Sequence, residues 1–186
     1  MAKDISYEEY SRQFLEQLPR GAFLTVQEGE RLNTMTIGWG NIGYIWKMPV
    51  LTVMVRYSRH THGLIEKAAD FSVCLPAPGE MRKALAIAGS VSGRDVDKFK
   101  AAGVTPQPAR TIQSPVIKEC NLFFECRTVF RQAMDANLLD DTVRGNSYSS
   151  LDFHVMYYGQ ITACYRNDQE ERETSGTTAK VPVLSS

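Results

Sequence analysis

Nowhere in the 186 residues does an apolar run approach the roughly 18 to 20 residues that a membrane-crossing helix requires, so no membrane partner is expected. Behind Lys3 the N-terminus, Met1 to Ser6, has no apolar signal core, and a cytoplasmic location is the resulting expectation. An excess of one charge is also lacking. Lys+Arg and Asp+Glu both total 21, which gives a formal net charge of zero and no global attraction to nucleic acid or an anionic membrane. A local basic cluster can still hold a phosphate. The cysteines are few, Cys74, Cys120, Cys126 and Cys164, and none forms a C-x-x-C pair. The usual zinc and thioredoxin spacings are therefore missing, and no metal site is expected. All four lie in apolar, strand-like stretches and read as buried, reduced thiols. Cys120 and Cys126, if placed in one extended segment, sit too far apart for a disulfide. No G-x-G-x-x-G follows a strand and there is no P-loop, so any nucleotide must be held in another way.

What is present is an ordinary globular composition, 43% hydrophobic and 23% charged, long enough for one domain with a real core. Tyr10, Phe14, Leu15 and Leu18 recur at helical spacing behind Ser6 and Glu9, a capping-box pattern, until Pro19-Arg20-Gly21 breaks it. Ala22 to Val26 and Leu32 to Ile37 flank a polar turn containing Gly29 and read as a hairpin. Val50 to Val55 and Phe71 to Leu75 read as strands, with a short helix from His62 to Ala69 between them. Pro78 to Ala88 has one inward helical face, and Ser92 opens a second helix through Phe99 that Gly103 ends. Two β-rich runs follow, Leu122 to Phe130 and Phe153 to Tyr165. The expected architecture is mainly β with inserted helices, a closed or partly closed barrel in a single domain over residues 1–166. The polar tail, 167–186, is expected to be mobile or an exchanged arm.

Two stretches carry chemistry. Arg56-Tyr57-Ser58-Arg59-His60-Thr61 follows a strand and runs into a helix. Its two guanidinium forks, its hydroxyls and the free amides of the helix start all suit a phosphate. For the segment alone, a solvated basic loop in which Ser58 or Thr61 merely caps the helix is the simpler reading. Asn33-Thr34-Met35-Thr36-Ile37-Gly38-Trp39-Gly40 has glycines that admit a planar ligand close to the backbone, with Met35 and Trp39 as apolar faces. Its alternative is a bulged strand with Trp39 in the core. His154 stands alone on an apolar strand and reads first as a satisfied core residue, with a nicotinamide-positioning role as the other option.

Taken together and in order, these stretches resemble the flavin reductase-like family that includes the flavoredoxins. The resemblance rests on Gly21-Ala-Phe-Leu-Thr, N-T-M-T-I-G-W-G, the W-K-M-P-V turn at Trp46, V-R-Y-S-R-H-T, S-G-R-D-V-D-K-F from Ser92, and Tyr158-Gly159-Gln160-Ile161. It implies an FMN-binding split β-barrel, a homodimer with FMN near the subunit interface, and an NAD(P)H-dependent flavin reductase using NADH or NADPH. The alternative is a flavoredoxin-like electron carrier that serves a redox partner protein and has no nicotinamide site of its own. By the same resemblance Asn33, Met35, Thr36, Ile37, Gly38 and Trp39 line the flavin ring and ribityl chain. Arg56, Tyr57, Ser58, Arg59, His60 and Thr61 take the phosphate, and Ser92 and Lys98 belong to a segment that closes over the site. Ala88-Gly89 stands where many relatives have cysteine and glycine. No catalytic residue is assigned, because the flavin carries the difficult step.

Overall fold

A computed structural model describes residues 2–167, so the tail expectation beyond Asn167 lies outside the described residues. In chain order the elements are β1 (Ala2–Asp4), α1 (Tyr7–Gln17), β2 (Ala22–Glu28), β3 (Arg31–Ile37), β4 (Gly40–Ile45) and β5 (Met48–Arg56). They continue with α2 (His60–Ile65), β6 (Asp70–Leu75), α3 (Arg82–Ser90), α4 (Lys98–Ala102), β7 (Pro106–Gln107) and β8 (Val116–Ile117). The last three are β9 (Leu122–Ala133), α5 (Asp141–Ser147) and β10 (His154–Asn167). Seven strands run in the order β3-β2-β6-β9-β10-β5-β4, with β1 paired to the far end of β10. The pairs are antiparallel. The sheet does not close, although β3 comes near β5 across the opening. That is a split barrel.

Alternation along the strands fills the inside. Leu24 and Val26 of β2, Val53 and Val55 of β5, and Phe71 and Val73 of β6 meet there, and Phe14 of α1 plugs one end edge-on to Phe124. A second cluster lies outside the sheet, where Ala84, Leu85 and Ala88 of α3 cover Phe23, Cys74 and Phe123. β10 bulges at Gly159, and the bulge has no room for a side chain. A Cβ there would lie 2.5 Å from the ring of Phe71.

The differences from the sequence reading have local causes. Ser6 does cap α1, but its partner is Glu8 rather than Glu9. The helix expected from Pro78 starts at Arg82, because Gly79 and Met81 hold left-handed conformations (φ 85° and 54°) ahead of it. The helix expected from Ser92 starts at Lys98, capped by Asp97. Ser92 instead closes a turn by accepting from the Arg94 amide. Strand β4 and helix α5 go beyond the expectation. β4 turns into β5 through Trp46-Lys47, both at positive φ and neither a usual turn residue, while α5 buries nothing. The four cysteines are buried and unbridged, and burial pushes the Cys74 thiol up to about 12.

Candidate functional site

The opening of the barrel is where the chemistry-bearing residues gather. At one lip β3 ends at Ile37, and the chain passes through Gly38 and an exposed Trp39 before β4 begins. At the other lip β5 ends at Arg56, directly opposite His154 at the start of β10. Between them lies a hollow of about 160 Å³ lined by Met35 to Trp39, Met54, Arg56, Arg59 and His154. A second hollow, of about 130 Å³, continues from it through Met35 and Arg59. Ser58 to Thr61, Ser90 to Arg94 and Lys98 line this second part.

The two parts differ in character. The ring of Trp39 lies 5.2 Å from that of His154, and the Arg56 guanidinium sits 5.9 Å from Trp39 and 5.1 Å from Tyr148. Tyr148 Oη and His154 Nδ1 are hydrogen-bonded at 2.8 Å. Burial, reinforced by the Arg56 charge, pushes His154 down to about 4, so its imidazole is neutral near pH 7. The first hollow is therefore walled by strand backbone, two methionines, the rings of Trp39 and His154, and the guanidinium groups of Arg56 and Arg59, the former already tied to carbonyls.

The second hollow is cationic. Arg59, Arg94 and Lys98 line it, and among the described residues no carboxylate does. Arg59 donates to the Gly89 carbonyl (3.0 Å), Lys98 to the Ala88 carbonyl (2.7 Å) and Arg94 to the Ser58 carbonyl (3.1 Å). Each keeps further donors free. Lys98 is buried, and desolvation, with help from Arg59, pushes its ammonium down to about 8. His60 is lowered by burial and then by Arg94, Lys98 and Arg31, a further sign of crowded positive charge. Gly93 is needed for the close fit of this wall. A Cβ there would fall 2.2 Å from Asn33 Oδ1.

Of the residues singled out in the sequence, Met35, Thr36, Ile37, Gly38 and Trp39 share the first hollow, and Ser58, Arg59, His60, Thr61, Ser92 and Lys98 share the second. Trp39 is at the surface rather than in the core. Asn33 is buried behind the wall and donates to Thr61 Oγ1 at 2.8 Å. The Thr36 hydroxyl is turned to α3, donating to the Leu85 carbonyl at 2.6 Å. Tyr57 is exposed and packs on His62, away from both hollows. Arg56 reaches the first hollow, but two of its nitrogens donate to the carbonyls of Ser147 and Asp152, and Ser58 donates its hydroxyl to the Asp152 carboxylate. Met54 and Ser90 are lining residues that pattern reading passes over, whereas Arg94 lies in the Ser92 to Phe99 segment expected to close over the site. For His154 one signal existed, its isolation on an apolar strand.

Residues 16–182 match the family model of the flavin reductase like domain. An uncharacterized protein of Archaeoglobus fulgidus is 32% identical over 111 residues, 60% of this chain and 62% of that protein, so less than two thirds of its length is matched. The flavoredoxin of Methanosarcina acetivorans is 28% identical with a TM-score of 0.61, covering 80% of this chain and 69% of that one. The FMN-binding domain of a flavin reductase-like enzyme from Shewanella baltica has a TM-score of 0.66 at 14% identity, covering 89% and 77%; at that identity the likeness is one of fold.

Proposed function

The chain belongs to the flavin reductase-like family, and on that premise we propose that it is an FMN-binding oxidoreductase that takes electrons from NADH or NADPH. One observation carries the reading. A hollow lined by Arg59, Arg94 and Lys98, with no carboxylate among its described lining residues, opens directly into a hollow walled by β3 backbone, Trp39, His154 and a carbonyl-bound Arg56, as a phosphate joined to a planar ring would require. Arg59, Arg94 and Lys98 would hold the phosphate, and the first hollow would take the ring against residues 35–39. When bound, FMN supplies hydride acceptance and onward electron transfer. The chain's own task is to bind and orient. Guanidinium and ammonium donors fix one end, backbone groups of β3 face the other, and a neutral His154 adds no charge beside it. Both hollows are small, and Trp39 stays exposed. These features support a homodimer in which a second copy completes the cover.

The 28% identity to a flavoredoxin supports a second reading, an FMN electron carrier that serves a redox partner protein. Visible absorption of the protein after FMN loading and desalting, then after NADH and NADPH, separates the two. We expect retained yellow colour that bleaches with a nicotinamide. Retained colour without bleaching selects the carrier. A colourless protein overturns both.

A further inference from the structure

A groove of about 620 Å³ runs along the outer face of α3, and it joins the candidate site at two points. Thr36 is shared with the first hollow and Ser90 with the second. Its volume lies within the range of about 300–1,000 Å³ typical of small-molecule sites. The floor is made of small groups, Ala86, Gly89 and Ser90, which leave the helix surface flush. At the far end stand Arg20 and Arg82, both exposed. From Ser90 to Arg82 the helix covers about 12 Å at 1.5 Å per residue.

The two arginines come from distant parts of the chain and are set by local geometry. Arg20 ends the turn after α1, where Gly21 (φ 111°) swings the chain into β2 and a Cβ would lie 3.0 Å from Thr36. Arg82 opens α3 behind the left-handed Met81, with no side chain capping the helix. Neither arginine has an ion pair or a hydrogen bond from its side chain among the described residues. Glu80 lines the adjoining cleft beside both without pairing to either. At the other end of the helix Arg59 and Lys98 each donate one bond to the last carbonyls of α3 and belong to the candidate phosphate hollow. An unpaired pair of guanidinium forks, at the end of a groove leading to the ring hollow, calls for a doubly charged oxyanion.

We infer that Arg20 and Arg82 receive the 2′-phosphate of NADPH, which lies along α3 with its nicotinamide towards the ring hollow, and so make NADPH the preferred donor. The inference rests on the reductase reading. It adds specificity by the same means that arginines use towards this phosphate in other nucleotide sites.

Calorimetric titration of the FMN-loaded protein with 2′,5′-ADP and with 5′-AMP tests it without turnover. The wild type should bind 2′,5′-ADP at least about tenfold more tightly, the contribution of one charged hydrogen bond. R20A/R82A should lose that preference, while K83A, a neighbouring charge outside the groove, keeps it. In steady state the double variant should raise KM for NADPH with kcat unchanged and leave NADH unaffected. Equal affinity for the two nucleotides in the wild type, or a preference that survives in R20A/R82A, overturns the assignment. Both arginines are exposed, so the variants should fold, and circular dichroism checks that they do. Failure to retain FMN sinks the functional reading itself. FMN retention without a 2′-phosphate preference sinks this inference alone.

Discussion

Arg56 and Arg59 are three residues apart, and the fold gives them opposite surroundings. Arg56 is the last residue of β5 and points across to the loop after α5. Two of its nitrogens are tied to carbonyls of Ser147 and Asp152, and its plane is flanked by Trp39 and Tyr148. Arg59 stands before α2 with one side-chain hydrogen bond among the described residues, to the Gly89 carbonyl, and faces both hollows. The first arginine fastens a wall and the second lines a vessel. Equal charge and near-equal sequence position therefore do not mean equal function. What differs is how many donors the rest of the chain has already claimed.

The widest contrast is accessible by acid. His154 belongs to the Arg56 side, and its folded value of about 4 lies below the ordinary value of 6.5. A depressed base binds fewer protons folded than unfolded between those values, so stability falls as pH drops from about 6.5 and levels off near 4. The loss should reach about 3 kcal/mol. His154→Gln, which can still bond to Tyr148, should flatten that part of the profile in urea melts at pH 7, 5.5 and 4.5. An unchanged profile in the variant would show that the acid sensitivity arises elsewhere.

The two arginines themselves come next. Arg56→Ala should lower stability by about 2 kcal/mol, since the carbonyls of Ser147 and Asp152 lose their donors, and it should weaken FMN and riboflavin alike. Arg59→Ala should leave the melting temperature nearly unchanged and weaken FMN about tenfold while sparing riboflavin, which lacks the phosphate. Thermal melts and fluorescence titrations with both flavins read the two effects separately. Should the FMN-to-riboflavin ratio change equally in both variants, the contrast between the arginines fails.

Much of this contrast was hidden in the sequence for a definite reason. That a basic, hydroxyl-rich segment follows a buried strand could be read directly, as could the apolar period of α1 and the hairpin of β2 and β3. The partners that occupy Arg56 and Ser58 lie 91 to 96 residues further on, in a polar loop with no pattern of its own. His154 gained its place from register, by pairing with Arg56. The start of α4 moved because Asp97 competes with Ser92 as a cap, and β4 was masked by two glycines and a turn built from Trp46 and Lys47. Local chemistry was legible. Long-range occupancy of donors was not.

Lys98 yields the smallest effect and the sharpest test of the cationic hollow. Its folded value, about 8 against an ordinary 10.5, means that the free protein sheds this charge as pH rises from 7 to 9. A bound phosphate stabilises the ammonium and raises that value again, so binding takes up a proton in this window and affinity falls as pH rises through it. The fall should be severalfold for FMN and absent for riboflavin. Lys98→Arg keeps the charge across the range and should abolish the slope, with the overall affinity set by how well the larger side chain fits beside Ala88. Titrations at pH 7, 8 and 9 in buffers of equal ionic strength measure this. A slope that persists in Lys98→Arg would move the titrating group away from the hollow, and with it the argument that burial next to Arg59 tunes this lysine for a phosphate.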